Sequence, residues 1–319
     1  MRVIISAGGT GGHIYPALAI INKIKSEEPN SEFLYIGTHN RMENDIVPKT
    51  GIPFEKIEIY GFSKNIIKDF KTARCLVKSY KKCKKLISDF NPDVVIGVGG
   101  YVTAPVIYAA KKLGYKTVIH EQNSLPGKSN QFLSKYSDLV CVSFKSSMSY
   151  FPNDKVVFTG NPCSEDALGK KEIKKSVYGI KDNRKLVLFV MGSLGSSRVN
   201  DYLVSVMNLF NGKDYDILFV TGKGSYESIS SNSFPSNVHV VPYVANNHQY
   251  KNALDLVNVN ASIMIEEKDL KGDILVRKID EILYDNNKIK DMKKNLKSMM
   301  VLNSASLIYT NIKKLVDRK

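Results

Sequence analysis

The chain has 319 residues, 43% of them hydrophobic, a length that predicts two domains, each with its own core. This length excludes a small scaffold held together by disulfides or a metal, and the four cysteines form no CxxC pair. Lysine and arginine total 46 against 31 acidic residues, and the resulting net charge of +15 predicts an anionic partner. Nucleic acid, a phosphorylated substrate and an anionic membrane surface all satisfy that charge. No apolar run approaches the roughly 18 residues of a membrane span, so any membrane contact is expected to be peripheral.

The first half alternates short apolar runs with amphipathic stretches, the pattern of parallel strands joined by helices. Helices are predicted to begin near Pro16, Lys64 and Thr103, with a shorter one at 128–135. The predicted strands are 2–6, 32–36, 94–98, 117–119, 139–142 and 156–158. Glycine and proline at 160–162 interrupt this pattern, so we place the boundary between a first domain, 1–160, and a second domain, 161–303, at that point, with the linker extending toward Lys170.

The second half begins again with a strand, a glycine loop and a helix. Strands are predicted at 185–191, 217–221, 238–241 and 261–265, and helices at 199–210 and 248–256, followed by three amphipathic helices that finish the chain. The repeated opening predicts an α/β protein with two Rossmann-like, doubly wound parallel-sheet domains.

Glycine-rich loops at 6–13, 97–103 and 192–197 each follow a predicted strand and precede a predicted helix. Glycines allow a ligand close to the backbone, and the N–H groups of the following helix favour a phosphate or diphosphate, although glycines also make tight turns. The first loop lacks the lysine of a Walker loop, and Ile14 stands where the dinucleotide fingerprint requires a third glycine. Three such loops favour transfer between two diphosphate-bearing substrates over an ATPase or an NAD enzyme.

Five segments carry a resemblance to a known family: SAGGTGGHIYP at 6–16, GVGGYVTAP at 97–105, HEQN at 120–123, GNP at 160–162 and NHQYKNA at 247–253. They resemble the MurG family of peptidoglycan glycosyltransferases, and the resemblance extends over essentially the whole chain. It implies a GT-B fold in which the two domains face a cleft. The first domain would hold the acceptor and the membrane, the second would hold the UDP-sugar, and a last helix at 304–319 would pack back on the first domain.

The resemblance also implies an activity in cell-wall synthesis. N-acetylglucosamine would pass from UDP-N-acetylglucosamine to undecaprenyl-diphospho-muramoyl-pentapeptide, converting lipid I to lipid II at the cytoplasmic side of the cell membrane. The donor contacts implied by the resemblance are Thr10, Gly11, Gly12, Asn123, Ser193 and Gln249. The acceptor diphosphate contacts it implies are Gly99, Gly100 and Tyr101.

An inverting transfer needs a base for the acceptor hydroxyl and stabilisation of the departing UDP. His13 is the first candidate base, because a neighbouring helix N-terminus favours a neutral ring that can accept a proton; the alternative is a histidine that only positions the loop. Glu121 is the second candidate, with the alternative that it orients its neighbours. Asp214 and Asp216 resemble a metal-binding DxD pair, but they precede the strand at 217–221, whereas ligands bind beyond the carboxyl ends of strands. We interpret them as a solvated turn and predict no metal or cofactor.

Residues 64–85 combine an apolar stripe at helical spacing with many lysines. This pattern predicts a helix that docks on an anionic membrane, with a solvated helix face as the alternative. No nucleic-acid-binding module is recognised in the sequence, so nucleic acid is not predicted as a partner.

The second domain is shorter than the resemblance requires. Pro242 and Tyr243 join Val244 directly, where the family has a further segment on the order of 40 residues, more than one βαβ unit. This predicts a deletion near 243/244 in the donor site. The alternative function is therefore a catalytically impaired relative that binds the lipid diphosphate or a cell-division partner.

Overall fold

The computed structural model describes residues 1–60, 66–168, 174–190, 197–222, 224–242 and 256–318. The chain forms two compact units, one comprising Met1–Gly169 and Met300–Lys319 and the other Lys170–Met299. These units divide at 169/170 and 299/300, compared with the predicted domain bounds of 160/161 and 303/304. Residues beyond 160 stay with the first unit because Glu165 accepts hydrogen bonds from the backbone N–H and the hydroxyl of Ser306, at 2.8 and 2.5 Å.

The first unit contains a seven-stranded parallel sheet in the order β3-β2-β1-β4-β5-β6-β7. Its strands are β1 Arg2–Ser6, β2 Glu32–Thr38, β3 Phe54–Ile57, β4 Val94–Gly97, β5 Lys116–Glu121, β6 Leu139–Val142 and β7 Val156–Phe158. The central strands are almost entirely apolar because helices cover both faces of the sheet. Six of these strands match predicted ones, whereas the edge strand β3 was not predicted.

The helices of this unit are α1 Gly11–Glu27, α2 Glu43–Ile46, α3 Ile66–Phe90, α4 Thr103–Lys112, α5 Lys128–Leu133, α6 Pro162–Leu168 and α11 Ser304–Asp317. Helix α11 packs against α1 and α6 and buries Ile308 and Ile312 in the core of the first unit. The helix that we predicted to begin near Pro16 begins earlier, at Gly11, so Pro16 lies beyond the first turn of α1. A proline there leaves the Gly12 carbonyl without the N–H that an ordinary residue at 16 would donate.

The second unit contains a three-stranded parallel sheet in the order β10-β9-β8, formed by β8 Lys185–Val190, β9 Tyr215–Val220 and β10 Val238–Val241. Its helices are α7 Ser197–Val206, α8 Tyr226–Ser230, α9 Ile274–Leu283 and α10 Asn286–Met299. Phe189, Phe210 and Phe219 are buried in its core. The α/β fold with two parallel-sheet units is thus confirmed. The strand predicted at 261–265 is wrong, since these residues are irregular, and most of the helix predicted at 248–256 lies outside the described residues.

Candidate active site

The two glycine loops of the first unit lie side by side. Strands β1 and β4 are neighbours, with Ser6 paired to Gly97, so the loops that follow them emerge together at the carboxyl edge of the sheet. The Gly8 N–H donates to the Gly99 carbonyl at 3.3 Å. A Cβ on Gly100, whose φ is +88°, would lie 2.5 Å from the Gly8 oxygen. The two loops therefore form one backbone surface, and the close contact requires glycine at position 100.

The first turn of α1 offers only part of the loop's N–H groups to a ligand. The N–H groups of His13 and Ile14 donate to the Thr10 carbonyl at 3.1 and 3.2 Å. The Gly9 N–H points to the buried carboxylate of Glu43 at 3.0 Å, so it does not serve an anion as the glycine pattern predicts. The N–H groups of Gly11 and Gly12 open the 17-residue helix and carry the positive end of its dipole.

His13 lies where the two loops meet. Its Nδ1 is 3.0 Å from the Gly8 carbonyl oxygen and 3.4 Å from the Thr10 hydroxyl. A carbonyl oxygen only accepts, so this contact assigns the proton of the neutral ring to Nδ1 and leaves the lone pair on Nε2. A Cβ on Gly99 would lie 2.9 Å from Nε2 and 2.5 Å from Cδ2, so glycine at 99 makes room for the ring. This geometry is suited to accepting a proton at Nε2.

Glu121 ends strand β5 and is 1% exposed. Its Oε1 accepts from the backbone N–H and the side-chain amide of Asn123, both at 2.9 Å. Its Oε2 accepts from the Gly127 N–H at 3.0 Å and from the Asn130 amide at 2.9 Å. Four donors hold the carboxylate inside the loop, an arrangement that favours the orienting role over that of a base. Asn123 is half-buried beside it.

The residues on either side of Glu121 in sequence, His120 and Gln122, are also buried. His120 is fully buried, and burial lowers its pKa to about 4, against a smaller opposing effect of the Gly160 carbonyl. Gln122 is 5% exposed, and its amide has no hydrogen-bond partner among the residues that the structure describes. A Cβ on Gly99 would lie 3.4 Å from the Gln122 Nε2, which places this amide behind the second glycine loop.

No motif pointed to Glu43, the most buried carboxylate next to the glycine loops. It opens α2, is 0% exposed, and accepts from Thr38 as well as from Gly9. The only signal in the sequence is an acidic residue shortly after a strand whose carboxyl end faces the loops. Such a residue is common in any surface loop, so sequence alone does not single it out.

The remaining predicted site residues fall into two groups. In the second loop Gly99 is buried, Gly100 is half-buried and Tyr101 is 63% exposed, so its ring is available to a ligand. Ser193 and Gln249 lie outside the described residues.

The DxD pair is not the solvated turn that we predicted. Asp216 lies within β9, is 5% exposed and pairs with Arg184 at 2.6 Å. Asp214 accepts from the Tyr284 hydroxyl at 2.8 Å. Within the described ranges, no group of three or more His, Cys, Asp or Glu residues could hold a metal ion.

An apolar groove with a volume of about 340 Å³ opens on the first unit between α3, α4 and the turn after α5. Four aromatic rings in successive contact line it, with centroid distances of 5.7 Å for Tyr80–Tyr108, 5.0 Å for Tyr108–Tyr136 and 5.2 Å for Phe132–Tyr136. Phe132 is 51% exposed and Val77, which also lines the groove, is 55% exposed. The groove thus presents apolar side chains to the surroundings.

Lysines lie close to this groove. Lys81 and Lys84 are exposed and follow Val77 by one and two helical turns, and the Lys112 ammonium lies 5.5 Å from the Tyr108 ring centroid. Lys82 differs, because it pairs with Glu55 at 2.9 Å and donates to the Lys56 carbonyl at 2.8 Å. In the described part of the chain, no helix is both long and apolar enough to cross a membrane.

Comparison with known proteins gives the family. The models of the glycosyltransferase family 28 N-terminal domain and C-terminal domain match residues 3–142 and 235–308. The Bacillus cereus protein named UDP-N-acetylglucosamine--N-acetylmuramyl-(pentapeptide) pyrophosphoryl-undecaprenol N-acetylglucosamine transferase 1 is 42% identical over 364 positions, which cover 100% of both chains. The Bacillus licheniformis transferase is 38% identical over 361 positions, with 99% of each chain covered. Since 364 positions are aligned and this chain has 319 residues, 45 of them have no residue here.

Solved structures share the fold at lower identity. MurG of Acinetobacter baumannii superposes with a TM-score of 0.73 at 22% identity, covering 98% of this chain and 99% of that one. A UDP-GlcNAc 2-epimerase from Neisseria meningitidis gives a TM-score of 0.67 at 14% identity, covering 98% and 100%. Transferases and epimerases thus share this fold, and the full-length sequence identity decides between them. The chain belongs to the MurG family of glycosyltransferases.

Proposed function

We propose that this chain transfers N-acetylglucosamine from UDP-N-acetylglucosamine to undecaprenyl-diphospho-muramoyl-pentapeptide, forming lipid II from lipid I. The observation that carries this proposal is His13 at the meeting point of two glycine loops, with Nε2 as its basic nitrogen. The name of the Bacillus cereus relative, at 42% identity over the full length, supports the choice of substrates.

In the proposed reaction, the acceptor hydroxyl attacks the anomeric carbon of the donor with inversion. A bond forms from the hydroxyl oxygen to that carbon while the bond from the carbon to UDP breaks, and its electron pair leaves with UDP. The hydroxyl proton passes to Nε2 of His13. The N–H groups of Gly11 and Gly12 and the dipole of α1 favour negative charge in front of the loop.

The other site residues take roles that their geometry supports. Thr10, Gly11 and Gly12 contact the donor, while Gly99, Gly100 and the exposed Tyr101 hold the acceptor diphosphate. Glu121 acts as a positioning residue that holds Asn123 towards the donor sugar, through bonds of 2.9 Å. Ser193 and Gln249 keep the donor contacts that the resemblance implies.

A histidine exchange tests the base. We expect His13→Gln to lower kcat by about 100-fold or more, the usual contribution of a general base, with little change in the KM of the donor. The matched control is His39→Gln, which removes a histidine near Tyr60 and should leave kcat unchanged. Equal kcat values for the His13→Gln variant and the unaltered chain would refute the assignment of the base.

We further propose that the apolar groove docks the first unit on an anionic membrane at the cytoplasmic side of the cell membrane. Apolar side chains beside exposed lysines are complementary to anionic lipid, to which each lysine near the surface contributes about 1 kcal/mol. A lipid-linked acceptor requires such a position.

The lysines provide a controlled test of docking. Exchanging both Lys81 and Lys84 for glutamine should remove about 2 kcal/mol, or roughly 30-fold, of the affinity for phosphatidylserine-containing vesicles. Lys82→Gln is the matched control, because that lysine is already paired with Glu55. The docking proposal fails if the double exchange at Lys81 and Lys84 weakens vesicle binding no more than Lys82→Gln does.

One observation favours the second candidate, a non-catalytic relative that binds the lipid diphosphate. In the first unit, the first strand β1 pairs with β2 on one side and β4 on the other, whereas among the described residues β8, its counterpart in the second unit, pairs with β9 alone. A shortened donor domain would account for this difference and for the 45 unfilled aligned positions, although the predicted deletion point at 243/244 lies outside the described residues. Calorimetric titration of the chain with UDP distinguishes the two functions, since the transferase requires binding and the non-catalytic relative predicts none.

A further inference from the structure

Glu43 is a buried carboxylate whose donors, among the residues that the structure describes, carry no charge. It is 0% exposed, and its Oε1 accepts from the backbone N–H and the hydroxyl of Thr38 at 3.0 and 2.6 Å. Its Oε2 accepts from the Gly9 N–H at 3.0 Å. All three partners donate, an environment suited to the ionised carboxylate. Burying a charged group costs free energy unless hydrogen bonds compensate, and here three donors hold the carboxylate against the glycine loop.

The chain leaves space for this carboxylate on two sides. A Cβ on Gly8 would lie 2.5 Å from the Glu43 Oε1, and a Cβ on Gly37 would lie 2.8 Å from its Cγ. Neither of these glycines has a positive φ, so backbone conformation alone does not require them. At Gly8 the nearest obstacle to a Cβ is thus Glu43, whereas at Gly37 the Phe54 Cε2, 2.6 Å away, occupies the space together with Glu43.

A single peptide group connects Glu43 to His13. The Gly9 N–H, which donates to Glu43, and the Gly8 carbonyl, which lies 3.0 Å from the His13 Nδ1, belong to the peptide bond between Gly8 and Gly9. Because the peptide is planar, fixing its N–H direction also fixes the direction of its carbonyl. A negative charge at the N–H end also polarises the group and strengthens the carbonyl as an acceptor.

We propose that Glu43 is a positioning residue for the transfer reaction, acting through the Gly8–Gly9 peptide to hold the His13 proton on Nδ1 and the basic lone pair on Nε2. This inference rests on the proposed function of His13. The arrangement corresponds to the carboxylate that orients a catalytic histidine in hydrolases, with a peptide group inserted between the two side chains. The carboxylate also stabilises the positive charge that His13 acquires when it takes the acceptor proton.

The tautomer of His13 can be measured without any activity. We suggest ¹⁵N NMR of the full chain labelled at histidine, with His13 assigned by comparison with the His13→Gln variant. The unaltered chain should show His13 with the proton on Nδ1, and Glu43→Gln should give a mixture of both tautomers. A proton on Nε2 in the unaltered chain, or the same tautomer in both chains, would overturn the proposal.

A double-mutant cycle separates this role from simple stabilisation. Glu43→Gln should lower kcat by about 10- to 100-fold in the unaltered chain, the range for residues that support an active-site ligand from behind, and should have no further effect when His13 is glutamine. The same loss in both backgrounds would mean that Glu43 only supports the fold. A third outcome separates the two proposals. If Glu43→Gln loses the Nδ1 preference of His13 but His13→Gln keeps a normal kcat, Glu43 does set the His13 tautomer, and His13 is refuted as the base.

Asp138 provides a matched control. Like Glu43 it accepts from the N–H and the hydroxyl of one threonine, here Thr117, both at 2.9 Å. It directly precedes β6 and contacts the start of β5, whereas the glycine loops follow the carboxyl ends of the strands. We expect Asp138→Asn to leave the His13 tautomer and kcat unchanged. An equal effect of the Asp138 and Glu43 exchanges on the tautomer would overturn the proposal that Glu43 acts through the Gly8–Gly9 peptide.

Discussion

Acidification should destabilise the first unit through His120. This ring is fully buried at the end of β5, where its Nε2 lies 3.4 Å from both the Gly160 carbonyl and the Ser143 hydroxyl. Burial lowers its pKa from 6.5 to about 4 in the folded chain. Between these two values, the unfolded chain binds a proton that the folded chain does not. The free energy of unfolding therefore falls as the pH drops from about 6.5 to about 4.

The size of the effect follows from the same two values. A difference of about 2.5 pKa units corresponds to about 3 kcal/mol, since each unit is worth about 1.4 kcal/mol. A typical domain has a free energy of unfolding of about 5–15 kcal/mol, so this single group removes a large share of it. The loss should be complete near pH 4 and absent above about pH 7.

Urea unfolding followed by circular dichroism between about pH 7 and pH 4 measures this loss. Carboxylates also titrate in that range, so the informative quantity is the difference between chains. His120→Gln should be less stable at neutral pH but should lose about 3 kcal/mol less on acidification than the unaltered chain. His39→Gln is the control and should retain the full loss. An equal loss in the His120→Gln and His39→Gln variants would refute the reasoning.

Three further variants test the packing of the site and its support. Gly99→Ala should lower kcat because its Cβ would lie 2.5 Å from the His13 Cδ2, whereas Gly51→Ala, with a φ of +73° and no atom within 4 Å of its Cβ, should cost about 1–2 kcal/mol of stability and no activity. Equal kcat values for the Gly99→Ala and Gly51→Ala variants would contradict this. Glu121→Gln should weaken the 121–130 loop by about 1–3 kcal/mol, seen as faster amide exchange there; unchanged exchange would argue against the buried contacts. Glu165→Ala should speed exchange in α11 about 5- to 150-fold, and protection equal to that of the unaltered chain would contradict the anchoring of this helix.

The strands of the first unit were largely predictable because buried parallel strands are continuous apolar runs. The predicted bounds of β1, β6, β7 and β10 agree with the structure. The edge strand β3, Phe54–Ile57, escaped prediction because Glu55 and Lys56 interrupt its apolar character, as an edge position allows. The opposite error occurred at 261–265, where an apolar run was taken for a strand but forms no ladder. Strand identity depends on a neighbouring strand, which periodicity does not reveal.

The glycine loops and His13 were predictable because unusual composition marks them. Their mutual arrangement was not, since it depends on β1 and β4 being neighbours in the sheet although they are far apart in sequence. Glu43 reaches Gly9 across 34 positions, and only the folded chain brings them together. Glu121 illustrates a further limit, because whether a carboxylate acts as a base or orients a loop depends on how many donors surround it.

The most direct test of the central claim is transfer of labelled N-acetylglucosamine from UDP-N-acetylglucosamine to a lipid I analogue in anionic vesicles. We predict a labelled lipid-linked disaccharide with the unaltered chain and at least about 100-fold slower formation with His13→Gln. Absence of lipid-linked label under conditions in which the Bacillus cereus relative forms it would contradict the account. So would transfer that proceeds equally well without His13.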